Sequence, residues 1–95
     1  MQALLSLPDL LTQHGRRRMD ARRIPMEGVE AALDWGRAWR GKRSCEGLRL
    51  DRRTVERAGR QGKDLRPYEG ITVIQDSMGN ILTVYRDRTG RRLQR

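Results

Sequence analysis

The chain has 95 residues, of which 36% are hydrophobic and 35% charged, with no Phe and a formal net charge of +9. That length makes one domain with a small core, and that charge selects anionic partners: a phosphate backbone, an anionic surface or an acidic protein. A lone cysteine, Cys45, excludes an intrachain disulfide, and a lone histidine, His14, argues against zinc; neither a metal nor a cofactor is expected.

Of the 21 basic residues only Lys42 and Lys63 are lysine. Arginine makes bidentate contacts to phosphate and stacks on bases, so this excess favours RNA or DNA. The bland alternative is a genome that writes arginine wherever it needs a cation. The opening residues, Met1 to Asp9, carry no basic stretch, and Pro8 and Asp9 interrupt a short apolar run, unlike a secretory signal. No run approaches the roughly 20 apolar residues of a membrane span. No membrane partner and a cytoplasmic location are therefore expected.

In chain order, Pro8 to about Ala21 reads as a first helix, with Asp9 near its start where a carboxylate favours the helix dipole. His14, Arg18 and Arg22 follow at i, i+4 and i+8, on one face if the helix continues. Ile24-Pro25 breaks the chain and starts a second helix to about Trp35. Met26, Val29, Ala32 and Leu33 form its apolar stripe, and Gly36 is expected to stop it in the left-handed conformation. The two helices read as a hairpin.

Ala38 to Lys42 and Glu46 to Leu50 are candidate strands. Asp51 reads as the N-cap of a short helix, Arg52 to Gln61, with Val55 and Ala58 inward. Ile71 to Asp76 and Ile81 to Arg86 are β-branched and aromatic runs. Asp76-Ser77-Met78-Gly79-Asn80 between them has the residues of a type I turn closing an antiparallel hairpin. The fold class is thus α+β: an N-terminal helical hairpin packed on a small antiparallel sheet that ends in a β-hairpin. The chain reads as a single domain, with an ordered core over about 8–88 and a polar, mobile tail over 89–95.

His14-Gly-Arg-Arg-Arg18-Met19, Arg22-Arg23-Ile24, Val29-Glu30 and Gly36 match, in order, the opening pattern of a known family. Val55-Glu56, Tyr68-Glu69-Gly70 and Leu82-Thr83-Val84-Tyr85-Arg86 match its later part. On these residues the chain resembles the domain-of-unknown-function 4258 family over about 13–90, with Arg23 and Pro25 departing from the usual glycine and capping serine or threonine. The resemblance implies helices against an antiparallel sheet, and a fold-level likeness to small bacterial toxin ribonucleases of RelE-like and barnase-like type. It therefore implies a toxin-like, metal-independent ribonuclease acting on RNA, held in check by an acidic antitoxin-like protein. Fold alone does not establish that chemistry.

Metal-free RNA cleavage needs a base for the 2′-hydroxyl, an acid for the leaving oxygen, and cations for the transition state. His14 is the one side chain whose ordinary pKa, near 6.5, lies close to neutrality. Arg18 and Arg22 could cradle the phosphate, and Tyr85 and Arg86 end the last strand, where the family keeps Tyr-Arg. Arg16, Arg17, Arg37, Arg52 and Arg53 are candidates for nucleic-acid contacts. A structural role stands beside each: a helix histidine bonded to a carbonyl, a solvated arginine face, a sheet tyrosine with its hydroxyl at the rim. Trp35 and Trp39 either pack or stack on bases. Three functions share this electrostatics: a ribonuclease, a non-catalytic RNA- or DNA-binding module, and an interaction domain for an acidic protein.

Overall fold

The computed structural model describes residues 10–87. They form α1 (Gln13–Ala21), α2 (Met26–Trp35), β1 (Arg37–Arg40), β2 (Glu46–Arg49), α3 (Arg52–Arg60), β3 (Ile71–Gln75) and β4 (Ile81–Arg86). Short 3-10 turns occupy Lys42–Ser44 and Arg66–Tyr68. The four strands pair in the order β1-β2-β3-β4, each antiparallel to its neighbour. The fold is α+β, with two N-terminal helices followed by the sheet, as expected from the sequence.

Both N-terminal helices rest on the sheet: α1 on β4, and α2 on β3 with a smaller contact to β2. α1 starts later than expected, at Gln13, because Thr12 is its cap: the Thr12 hydroxyl accepts from the Gly15 N–H at 3.0 Å. Leu11 ahead of it is buried and bridges Ile81 in parallel, so the chain enters along the outer edge of β4. The Ile81 carbonyl there accepts from the Thr12 N–H at 3.1 Å and from its hydroxyl at 2.8 Å. This contact covers the start of the β4 edge, which would otherwise be open to pairing with another chain. Pro8, Asp9 and the tail at 89–95 lie outside the described residues.

Gly36 stops α2 for a different reason from the one expected. Its φ of −59° and ψ of 148° are extended, not left-handed. A side chain there would meet the Ala32 carbonyl oxygen and lie 3.0 Å from the Arg49 nitrogen, so close approach of helix and strand excludes anything larger. The closing hairpin is built as its residues predict. Gly79 has φ +87° and donates to the Asp76 carbonyl at 3.1 Å, and Asp76 Oδ1 accepts from the Met78 and Asn80 N–H groups, both at 2.9 Å. The β3–β4 register shifts between Ile74 and Gln75, next to this turn.

The core lies between helices and sheet. Val29, Ala32, Leu50, Ala58, Ile71, Val73, Ile81 and Val84 are all 0% exposed. α3 adds Val55 and Ala58 on one side and turns Arg52, Arg53, Arg57 and Arg60 to solvent. Asp51 caps it, accepting from the Thr54 N–H at 2.8 Å. Burial alone would raise the Asp51 pKa, but the Thr54 hydrogen bonds and the Arg37 and Arg49 charges hold it below 3.8. A carboxylate whose folded pKa is depressed stabilises fully above its unfolded pKa and loses that contribution as pH falls through the folded value. Asp51→Asn keeps a capping side chain without the charge, so its melting temperature is expected to fall less steeply than wild type below about pH 4. Parallel pH–melting curves would contradict this.

Candidate functional site

α1 brings two of the sequence candidates together. Arg18 Nε donates to His14 Nε2 at 3.2 Å, one helical turn apart, and both side chains are exposed. Arg22 does not join them. It lies past the end of α1, and its guanidinium donates to the Val84 carbonyl at 2.8 Å, clamping the helix end to β4.

Arg86 is likewise held by backbone. Its Nε donates to the Glu69 carbonyl at 3.2 Å, and another guanidinium nitrogen donates to the Pro67 carbonyl. It thereby ties the end of β4 to the 3-10 turn before β3. Tyr85, its neighbour, points to the opposite side of the sheet from Val84, as strand alternation requires.

Three contacts identify the two faces of the sheet. A side chain at Gly28 of α2 would run into Ile71 Cδ1, so Ile71 and its alternates Val73 and Val84 face the helices. A side chain at Gly47 would run into the Trp39 indole, so Trp39 and Gly47 share the other face. Arg49 Nη1 reaches Thr72 Oγ1 at 3.4 Å, placing those two on that face as well. Cross-strand register then gives this second face two rows: Arg37, Arg49, Thr72 and Tyr85, and Trp39, Gly47, Ile74 and Thr83. Trp39 is 36% exposed, and Ile74, Thr83 and Tyr85 are half-buried. Arg57 donates to the Trp35 carbonyl at 3.4 Å, setting α3 beside the end of α2.

No family model matches the chain, nor does any curated protein or solved structure. What the chain can do therefore rests on its own geometry.

The remaining candidates are spread over the surface. Arg16 and Arg17 are exposed on α1, and Arg53 on α3; none has a side-chain hydrogen bond or ion pair among the described residues. Arg52 pairs with Glu56 at 3.3 Å, largely in solvent, and the exposed Arg37 with the mostly covered Asp51 at 3.7 Å. Arg66 makes a third such pair with Asp64, at 2.9 Å. Its guanidinium bonds hold the Asp64 carboxyl down at about 2. Exposed pairs of this kind contribute little to stability. Arg49 was missed as a candidate, as was the alignment of Trp39 with it on one face. The signal available was the alternation Arg37-x-Trp39 and Thr83-x-Tyr85, but only the register of four strands turns it into a surface. No group of acidic, His and Cys residues suited to a metal ion occurs among the described residues. No described helix is long and apolar enough to cross a membrane.

Proposed function

We propose that this chain is a nucleic-acid-binding module with RNA as its ligand. The observation that carries this is the surplus of exposed arginine: a net charge of +9, with Arg16, Arg17 and Arg53 lacking any carboxylate partner among the described residues. Cations left unneutralised by the fold gain most from displacing counterions on a polyphosphate. Placing Arg22 and Arg86 against backbone carbonyls takes two of the five catalytic candidates into structural roles and favours binding over cleavage.

A fluorescent single-stranded RNA should bind at low salt, and the affinity should fall steeply as salt rises. With about five phosphates neutralised on a single strand, raising salt from about 50 to about 200 mM should weaken binding roughly 100-fold. No binding at low salt, or binding indifferent to salt, would remove the reading and leave an acidic protein as the partner.

A metal-independent ribonuclease is the second reading. The His14–Arg18 contact favours it, because a phosphate resting on Arg18 sets a neighbouring ribose hydroxyl near the imidazole. It draws also on the resemblance to the domain-of-unknown-function 4258 family and its implied likeness to toxin ribonucleases. In that reading the basic surface serves both RNA and an acidic antitoxin-like protein.

A further inference from the structure

We propose that the face of the sheet opposite α2 is a stacking platform for unpaired bases, with Trp39 and Tyr85 as its two aromatic seats and the exposed Arg37 as its phosphate contact. The inference rests on the nucleic-acid reading and narrows it to single strands and to one surface.

Trp39 lies across Gly47, which has no side chain to lift the indole away from the backbone, so the ring is braced there while the residue stays 36% exposed. Tyr85 sits on the same face three strands away, on the opposite edge strand. With neighbouring strands about 4.8 Å apart and about 3.4 Å of rise per residue, the two ring positions are roughly 16 Å apart. They would therefore take different bases of one strand. Between them lie the half-buried Ile74 and Thr83, while Gly47 is buried beneath the indole and Thr72 is fully buried beside Arg49.

Charge identifies the occupant. Arg37 and Arg49 are directly opposite one another on β1 and β2. Like charges in that position repel, and Asp51, 3.7 Å from Arg37, offsets only part of the pair. Arg49 is committed to Thr72 and to the Asp87 carbonyl, at 3.4 and 3.0 Å, so it adds charge to the row while Arg37 is left to meet a phosphate. A face that is aromatic at both ends and cationic along one row complements a strand whose bases are free and whose backbone is anionic. A duplex hides its base faces and would meet only the arginines.

The test compares a single-stranded oligouridine RNA, its DNA counterpart, an RNA duplex of similar length and inorganic polyphosphate at one salt concentration. Trp39→Ala and Tyr85→Ala should each weaken single-strand binding roughly 5- to 100-fold, the range for losing one stacked base, while polyphosphate binding stays unchanged. Trp39→Phe and Tyr85→Phe, which keep a ring, should restore most of the affinity. Should Trp39→Ala fail to fold, emission decides: oligouridine should quench wild-type tryptophan fluorescence but leave Trp39→Phe, in which Trp35 alone emits, unchanged. Equal affinity for duplex and single strand, or folded alanine variants that bind oligouridine like wild type, would overturn the platform and leave the arginine-surface reading standing. Absence of binding to every polyanion would overturn both.

Discussion

Leu50→Ala is expected to lower the unfolding free energy by about 3 kcal/mol, within the range for a fully buried leucine. Leu50 is 0% exposed and lies where β2 hands over to α3. Its N–H donates to the Ile71 carbonyl at 2.9 Å, and its own carbonyl accepts from Gly70 at 2.7 Å. Those main-chain bonds survive the substitution and hold the backbone in place, so the surroundings cannot close over the lost side chain. A domain of this size has a total stability of roughly 5–14 kcal/mol, so the change is a large share of it. Urea denaturation should show an earlier midpoint with an unchanged slope. Ile74→Ala, on the half-exposed face of the sheet, should cost far less. Equal losses at the two positions would mean that both faces are buried in the folded protein.

The ribonuclease reading makes the other large prediction. If the chain cleaves RNA in EDTA, His14→Ala should lower the rate by about 100- to 10,000-fold, the cost of losing a placed acid–base group. The melting temperature should hardly change, because the His14 side chain is exposed and its one bond is to the equally exposed Arg18. Arg18→Ala should behave likewise. Arg22→Ala and Arg86→Ala should do the reverse. Each leaves backbone carbonyls without a charged donor, and bonds of that kind contribute about 1.5–3 kcal/mol. A His14→Ala protein that melts early and cleaves normally would make His14 structural. Wild-type protein that leaves varied RNAs intact would remove cleavage and keep binding.

Local chemistry was legible in the sequence wherever a residue acts within a few positions of itself. Asp51 as a cap, Gly79 as the left-handed residue of the last turn, the apolar stripe of α2 and the two closing strands are all short-range choices of propensity and sterics. Helical spacing likewise foretold the meeting of His14 with Arg18. The same spacing could not foretell Arg22, because the helix ends at Ala21 and a carbonyl on a strand 62 residues away decides where that guanidinium goes. Gly36 was legible as a stop but not for its reason, which is the approach of Arg49 on a strand not yet formed when α2 is read.

The candidate surface belongs wholly to tertiary structure. Net charge and arginine content are sequence properties, and they determine which class of partner is attracted. The grouping of Arg37 with Arg49, and of Trp39 with Tyr85, requires a register across four strands and α2 packed on the other side. A shift of one residue in any pairing would turn those side chains into the core, because strand side chains alternate with a period of two. Burial of Ile71, Val73 and Val84 on the α2 side fixes the register, and that register puts Trp39, Tyr85, Arg37 and Arg49 on the opposite face.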